Sequence, residues 1–387
     1  MALLTRWRHP VSFTSPRFVR VKQRAVLVAA LCAVPFLSIL SAAELRTKSV
    51  FLITTDGLRW EEVFRGAAAE MLNKEFGNIS NTNAVKEAFW RETPEARREA
   101  LLPFVWGTLA KQGQIWGNRD QQSDVRVSNP HHFSYPGYNE FLTGVADLRI
   151  DSNDKNLNAN TNVFEWLHSK PAFRGRVAAA INWDVLAWVL NGPRAGFPIW
   201  SGFEVPSGTS RFPMPDGFSD IVERSKTVWS GVLLDTFVIA AAKQAVKTLK
   251  PRALYVSLGE TDDWAHEGDY ERYLKAARLY DQTVGELWEL VQSMPEYRGT
   301  TSFVLTTDHG RGPGPVAWKN HGASIADSAF MWFAVLGPDT APLGERKSTA
   351  LVTQSQVAST VAALLGEDFE RSFPRAGRVV REVVGVR

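Results

Sequence analysis

Residues 49–57 read SVFLITTDG, a seven-residue run dominated by Val, Phe, Leu, Ile and Thr that passes directly into an acid and a glycine. β-Branched and aromatic side chains suit a pleated, packed surface. A short unbroken apolar run closed by a turn signal is how a strand buried on both faces reads. The stretch therefore predicts a central strand whose following loop carries Asp56. The same pattern recurs downstream. Ala253–Leu258 (ALYVSL) predicts a strand followed by Asp262 and, four residues on, His266. Ser302–Thr306 (SFVLT) predicts another, ending at Asp308-His309, and Arg176–Ile181 and Phe330–Leu336 predict two more. Residues 86–112, 163–169, 184–190, 219–249, Asp269–Gln292 and 354–365 have helical composition or spacing. Strands alternating with helices predict an α/β fold with a mainly parallel central sheet and helices on both faces. The stretch 192–217 holds five Gly and five Pro and predicts an irregular surface excursion.

The chain has 387 residues, of which 44% are hydrophobic and 22% charged. This excludes a disordered chain, a collagen-like fibre and a polytopic membrane protein. The formal net charge of +3 is misleading, because residues 1–43 hold six of the 44 basic residues and no acid. The remainder is slightly acidic, so no nucleic-acid binding is expected. Residues 25–43 are apolar, follow that basic segment and end in Ser41-Ala42-Ala43, as a signal peptide or an N-terminal membrane anchor would. Either one predicts that residues 44–387 are exported, periplasmic or extracellular or anchored facing outside, as one domain whose nature the motifs below indicate. An uncleaved segment would be the only contact with a membrane. The one cysteine, Cys32, lies inside that segment, so residues 44–387 contain no disulfide and no thiol nucleophile.

In parallel sheets, ligands bind beyond the carboxyl ends of the strands, which is where this chain places its acids and histidines. Asp56, Asp262, His266, Asp308 and His309 come after three of the expected strands, and His321-Gly322 lies twelve residues after His309. Three carboxylates and three imidazoles form a natural donor set for two divalent ions, Zn²⁺ first and Mn²⁺ as the alternative. Asp262 and His266 would share one helix face if their segment is helical. Ser134, in Phe133-Ser-Tyr-Pro-Gly-Tyr138, is the candidate nucleophile. A nearby cation lowers a hydroxyl pKa, and a helix N-terminus favours a phosphate. The bland reading of Ser134 is an N-cap for a helix over Tyr135–Leu142.

The order of these motifs resembles the alkaline phosphatase superfamily, nearest to its nucleotide pyrophosphatase/phosphodiesterase and phosphomutase-like branches. Thr54-Thr55-Asp56-Gly57 is similar to the first metal-ligand motif, and Ser134-Tyr135-Pro136 to the nucleophile turn. Asp262 through His266 is similar to the Asp-x-x-x-His motif, and Thr307-Asp308-His309-Gly310 with His321-Gly322 to the closing motifs. The resemblance implies an alkaline-phosphatase-like sandwich. It implies one ion held by Asp262, His266 and His321, and a second held by Asp56, Asp308 and His309 with Ser134 beside it. The implied activity is phosphoester hydrolysis of a small molecule, of the phosphodiesterase or nucleotide pyrophosphatase type, by in-line displacement through a phosphoseryl intermediate. Phosphomonoester hydrolysis or phosphomutase-like transfer is the alternative, with a sulfatase or a non-catalytic binding protein behind them. The chain departs from the sulfatase motif by carrying Tyr138, not Arg, after Ser134-x-Pro136. It also lacks the Arg that alkaline phosphatase places close after its serine. A tyrosine-rich turn is expected to suit a less charged or bulkier ester. Asn153, Asn158 or Asn160 is expected to supply a donor to a phosphate oxygen. His131 and His132 are candidates to touch the leaving group, Trp264 is expected in the core, Lys319 in solvent, and Glu260 and Asp263 as supporting or capping groups.

Overall fold

The computed structural model describes residues 44–225 and 228–385. The segment 1–43, read above as an export signal or anchor, lies outside the described residues. Among the described residues, no helix is long and apolar enough to cross a membrane. The strands are β1 (Ser49–Thr55), β2 (Gln114–Trp116), β3 (Val125–Arg126), β4 (Val177–Ile181), β5 (Ile199–Ser201), β6 (Ala253–Leu258), β7 (Thr301–Thr306), β8 (Phe333–Leu336), β9 (Gly344–Glu345) and β10 (Val352–Thr353). Eight of them form one sheet in the order β5-β4-β6-β1-β7-β8-β2-β9, and β10 pairs with β3 apart from it. From β5 to β7 all neighbours are parallel. β8 runs antiparallel to both β7 and β2. This is the mainly parallel α/β sandwich expected of the alkaline phosphatase superfamily.

β1 is central, buried at every position and bonded to β6 on one side and β7 on the other. Successive side chains of a strand point to opposite faces, so β1 feeds two cores. Phe51 and Ile53 pack with the helices Asp235–Thr248 and Tyr270–Ser293. Val50 and Leu52 pack with the helices Ser134–Thr143, Val163–Ser169 and Gln356–Leu364. Each such side chain contributes about 1.5–3 kcal/mol by leaving water.

Two sequence expectations change. The stretch 86–112 is not one helix. It forms Thr82–Phe89 and Pro94–Leu101, then a π-helical turn at Val105–Leu109. Pro94 lacks the N–H an interior helical residue needs but fits a first turn, and the Thr93 hydroxyl caps that turn by accepting from the Ala96 N–H. The Gly/Pro-rich excursion at 192–217 is also not wholly irregular, because it contains the edge strand β5 paired with β4. An edge strand needs a ladder on one side only, so three residues between Pro198 and Gly202 suffice.

The loop after β1 is fixed by a buried ion pair. Arg59 donates from Nε and Nη2 to the Glu62 carboxylate, and from Nη1 to the Gly312 carbonyl at 3.1 Å. The Tyr270 and Tyr273 hydroxyls also donate to Glu62. The pair thus ties the β1 loop to the loop after β7. Removing one partner of a buried pair strands the other charge. Glu62→Ala is therefore expected to lower the unfolding free energy by about 3–5 kcal/mol, read as a shifted midpoint in urea denaturation.

Candidate active site

β4, β6, β1 and β7 are consecutive in the sheet, so the loops at their carboxyl ends emerge side by side. β1 delivers Asp56 and β7 delivers Asp308 and His309. β6 runs through Gly259 into the helix Glu260–His266, which carries Asp262 and His266. The structure brings all seven sequence-selected side chains into this one place.

Two groups of donors form. In the first, His309 Nε2 lies 3.3 Å from Asp56 Oδ1 and 3.2 Å from Asp308 Oδ2. His309 Nδ1 is 2.9 Å from the Gly310 carbonyl. A carbonyl only accepts, so Nδ1 carries a proton, and Nε2 is the atom turned toward the two carboxylates. The two facing carboxylate atoms, Asp56 Oδ1 and Asp308 Oδ2, are buried and have no hydrogen-bond partner. One ring nitrogen and two carboxylate oxygens thus lie within 4.8 Å of one another. In the second group, Asp262 Oδ2 is 3.2 Å from His266 Nε2, and His266 Nε2 is 3.0 Å from His321 Nε2. His321 Nδ1 faces the His132 carbonyl at 3.2 Å, which again places a proton on Nδ1. His309 bridges the groups, its Nε2 4.0 Å from Asp262 Oδ1 and its ring stacked on His321 with centroids 3.9 Å apart. Imidazole nitrogens and carboxylate oxygens in such triads fit two divalent cations. Asp56, Asp308 and His309 form one candidate set. Asp262 and His321 form the other with either His309 or His266.

The electrostatics point the same way. Burial and the Asp56 charge push the Asp308 carboxyl well above its usual range. Burial pulls His309 down, but the Asp308, Asp56 and Asp262 carboxylates outweigh it and raise the ring to about 9. Asp262 would be raised by burial, yet Arg311, His321 and His266 hold it well below a normal carboxylate. Burial and the His309 charge push His321 well down. Burial and Asp262 push Asp263 up to about 9. The bare cluster holds more negative charge than its imidazoles and Arg311 balance, a condition that a bound cation reverses.

The ligand-like groups are held from behind. Tyr138 OH donates to Asp56 Oδ2 at 2.9 Å, Gly57 N–H donates to Asp308 Oδ1 at 3.1 Å, and Gln354 Nε2 donates to the Asp308 carbonyl at 2.6 Å. Gly57 has φ 59°, and a Cβ there would sit 2.7 Å from Asp262 Oδ1 and 2.8 Å from Arg311 Nη1, so only glycine fits. Arg311 was not singled out from the sequence. It is buried, anchored on the Trp318 and Lys319 carbonyls, and directed at Asp262. Its signal was a charged residue two positions after His309 in a Gly/Pro-rich loop.

Ser134 is the first residue of its helix. Phe133 takes the N-cap position without a side-chain cap, so the Ser134 hydroxyl is not engaged in capping. It is 7% exposed, lines the cleft and lies 3.5 Å from His309 Nε2. Asn153 Oδ1 accepts the Tyr135 N–H at 2.9 Å, which orients its Nδ2 as a donor at the cleft that Asn153 also lines. Asn158 and Asn160 are instead engaged with Asn139 and Asp147. Of the three asparagines the sequence offered, the geometry thus selects Asn153.

The tyrosines and the paired histidines depart from expectation, while Trp264 and Glu260 follow it. Tyr135 and Tyr138 do not line the cleft. Their hydroxyls go to the Asn156 carbonyl and to Asp56, so the tyrosine-rich turn does not itself shape a substrate pocket. His131 and His132 also stay off the cleft. His132 adopts φ 53°, and its contribution is the carbonyl that faces His321. Trp264 donates to Glu260 Oε2 and packs on Trp229, which is a packing role. Glu260 Oε1 accepts the Asp235 N–H, a capping role.

The type I phosphodiesterase / nucleotide pyrophosphatase family matches residues 50–331, a span that includes all seven positions. The chain belongs to that family and is a phosphoester hydrolase of the alkaline phosphatase superfamily. Among solved structures it is similar to the alkaline phosphatase PafA, with TM-score 0.58 and 12% identity over 89% of this chain and 100% of that one. It is also similar to the phosphonate monoester hydrolase SpPMH from Silicibacter pomeroyi, with TM-score 0.52 and 13% identity over 87% and 76%. An alkaline phosphatase superfamily protein from Vibrio parahaemolyticus matches with TM-score 0.50 and 12% identity over 88% and 71%. At these identities the likeness is one of fold. No curated protein matches.

Groups that orient a metal ligand typically control affinity by 10–100-fold. Arg311→Lys loses the planar fork that reaches Asp262 and two carbonyls together. It is expected to weaken divalent-ion binding by about 10- to 100-fold, measured by competition with a chromogenic chelator.

Proposed function

We propose that this family member is an exported phosphodiesterase that works with two divalent ions, Zn²⁺ first and Mn²⁺ as the alternative, and uses Ser134 as nucleophile. The observation that carries the reading is the Ser134 hydroxyl beside His309, at the N-terminus of a ten-residue helix and next to a cluster of unpaired acceptors. Asp56, Asp308 and His309 would hold the ion adjacent to Ser134. Asp262, His266 and His321 would hold the second. Bound there, the ions would lower the hydroxyl pKa and balance charge on the attacking and leaving oxygens.

The protein's own groups do the rest. The Ser134 oxygen attacks phosphorus, the ester oxygen opposite departs with its bond electrons, and a phosphoseryl ester results. Water then attacks the same phosphorus and regenerates the serine. Asn153 Nδ2 and the Ser134 backbone N–H are placed to donate to the non-bridging oxygens. A diester fits better than a monoester because, among the described residues, no Lys or Arg lines the cleft. Arg311, the nearest guanidinium, is committed to Asp262. A diester carries one negative charge fewer for these donors to balance. Export rests on the sequence of residues 1–43, a basic segment followed by an apolar run.

With bis(4-nitrophenyl) phosphate as substrate, EDTA is expected to abolish turnover, and Zn²⁺ or Mn²⁺ to restore it. Ser134→Ala is expected to reduce kcat by about 10³-fold or more while the protein still binds metal. The diester is expected to be cleaved with higher kcat/KM than 4-nitrophenyl phosphate. An active metal-free preparation overturns the reading.

A further inference from the structure

The two carboxylates beside His309 are each held at one oxygen and free at the other. Tyr138 OH donates to Asp56 Oδ2 at 2.9 Å, and Asp56 Oδ1 has no hydrogen-bond partner among the described residues. Gly57 N–H donates to Asp308 Oδ1 at 3.1 Å, and Asp308 Oδ2 is likewise unpartnered. The two free oxygens are the ones that lie 3.3 and 3.2 Å from His309 Nε2. The set therefore offers one oxygen from Asp56, one from Asp308 and one nitrogen from His309. Ser134 Oγ, 3.5 Å from the same nitrogen, is the fourth donor atom at hand.

The two restraints differ in kind. At Asp308 the restraint is a backbone N–H, but at Asp56 it is a side chain with no freedom to leave. Tyr138 is fully buried, its ring edge-on to Phe141 with centroids 5.4 Å apart and tilted against Trp183 at 6.0 Å. A phenol oxygen lies on the axis about which its ring flips, so flipping does not move it. Ser257 Oγ donates to the Tyr138 oxygen at 3.3 Å, which leaves the Tyr138 proton for Asp56. The number of ligand atoms follows from this. A carboxylate that meets a cation through both oxygens enlarges the coordination shell. Mn²⁺ and Ca²⁺ favour such six-coordinate or larger, oxygen-rich shells, whereas Zn²⁺ favours four donors of mixed nitrogen and oxygen.

We propose that Tyr138 is a positioning residue that restricts Asp56 to a single ligand oxygen, and that this restriction makes the Asp56, Asp308 and His309 set select a four-coordinate ion over a six-coordinate one. Without the phenol hydroxyl, Asp56 is free to turn both oxygens inward and to admit the larger shell. The other donor set keeps its own restraint, Arg311 on Asp262, and serves as an internal reference. The inference rests on the two-ion reading above and deepens it.

The test measures Zn²⁺ and Mn²⁺ affinities of wild type, Tyr138→Phe and Ser257→Ala by competition with a chromogenic chelator. Tyr138→Phe is expected to weaken one of the two Zn²⁺ ions by about tenfold or more while Mn²⁺ binding stays within about twofold, so that the preference at one site falls about tenfold and the other site is unchanged. Ser257→Ala disturbs the same buried spot but leaves the Tyr138 hydroxyl on Asp56, and is expected to keep the wild-type preference within about twofold. Equal weakening of both metals in Tyr138→Phe, wild-type binding in that variant, or a Ser257→Ala that matches it overturns the proposal. If Tyr138→Phe does not fold, X-ray absorption at the zinc edge of the loaded wild type decides. About four nitrogen and oxygen neighbours per ion supports the proposal, and about five or more overturns it. A wild type that binds neither metal ends the two-ion reading and the proposal with it.

Discussion

The dominant constraint in this molecule is repulsion. Asp56 Oδ1 and Asp308 Oδ2 each lie within 3.3 Å of His309 Nε2, and His266 and His321 bring two more nitrogens to 3.0 Å of one another. Carboxylates do not gather like this spontaneously, because a buried carboxylate oxygen without a partner, as at Asp56 Oδ1 and Asp308 Oδ2, is expensive. The surrounding structure holds them there. Arg311 grips Asp262, Tyr138 grips Asp56, Gly57 and Gln354 grip the Asp308 segment, and carbonyls of Gly310 and His132 fix the two histidine tautomers. Stability stored in the two cores beneath allows a poorly satisfied cluster to persist on top.

The helix Ser134–Thr143 joins the two halves of this arrangement. Its first residue presents the hydroxyl, and Tyr138, one turn later, reaches the carboxylate of Asp56. Glu140 turns back and accepts N–H groups from Ser128, Asn129 and Ser355. This anchors the loop whose His132 carbonyl faces His321. A displacement of this helix would therefore move the nucleophile and disturb both donor groups together, so the site behaves as one unit rather than as separable residues.

Much of this was legible in the sequence because of how parallel sheets are built. A strand covered on both faces must be a continuous apolar run, so β1, β6 and β7 stand out, and the loops after these runs share one edge of the sheet. That is enough to gather Asp56, Asp262, His266, Asp308 and His309. Three-residue strands such as β2 and β5 carry no such signal, since their pairing is set by neighbours remote in sequence. The asparagines at 153, 158 and 160 look equivalent as text. Only the fold shows that Asn158 and Asn160 turn toward Asn139 while Asn153 caps the Ser134 helix. Arg311 was hidden for a related reason. Its role depends on two carbonyls and a carboxylate that come together only when the loops after β6 and β7 meet.

Tyr138 shows how a local substitution changes the chemistry available to the site. An arginine close after the nucleophile would bring a fixed positive charge to the phosphate. Here the tyrosine one turn on is buried and directs its hydroxyl to Asp56, which refines a carboxylate's position, and among the described residues no Lys or Arg lines the cleft. Under the proposed mechanism, positive charge at the reaction centre would then come from ions held by the carboxylates and imidazoles themselves, which favours an ester with one negative charge over one with two.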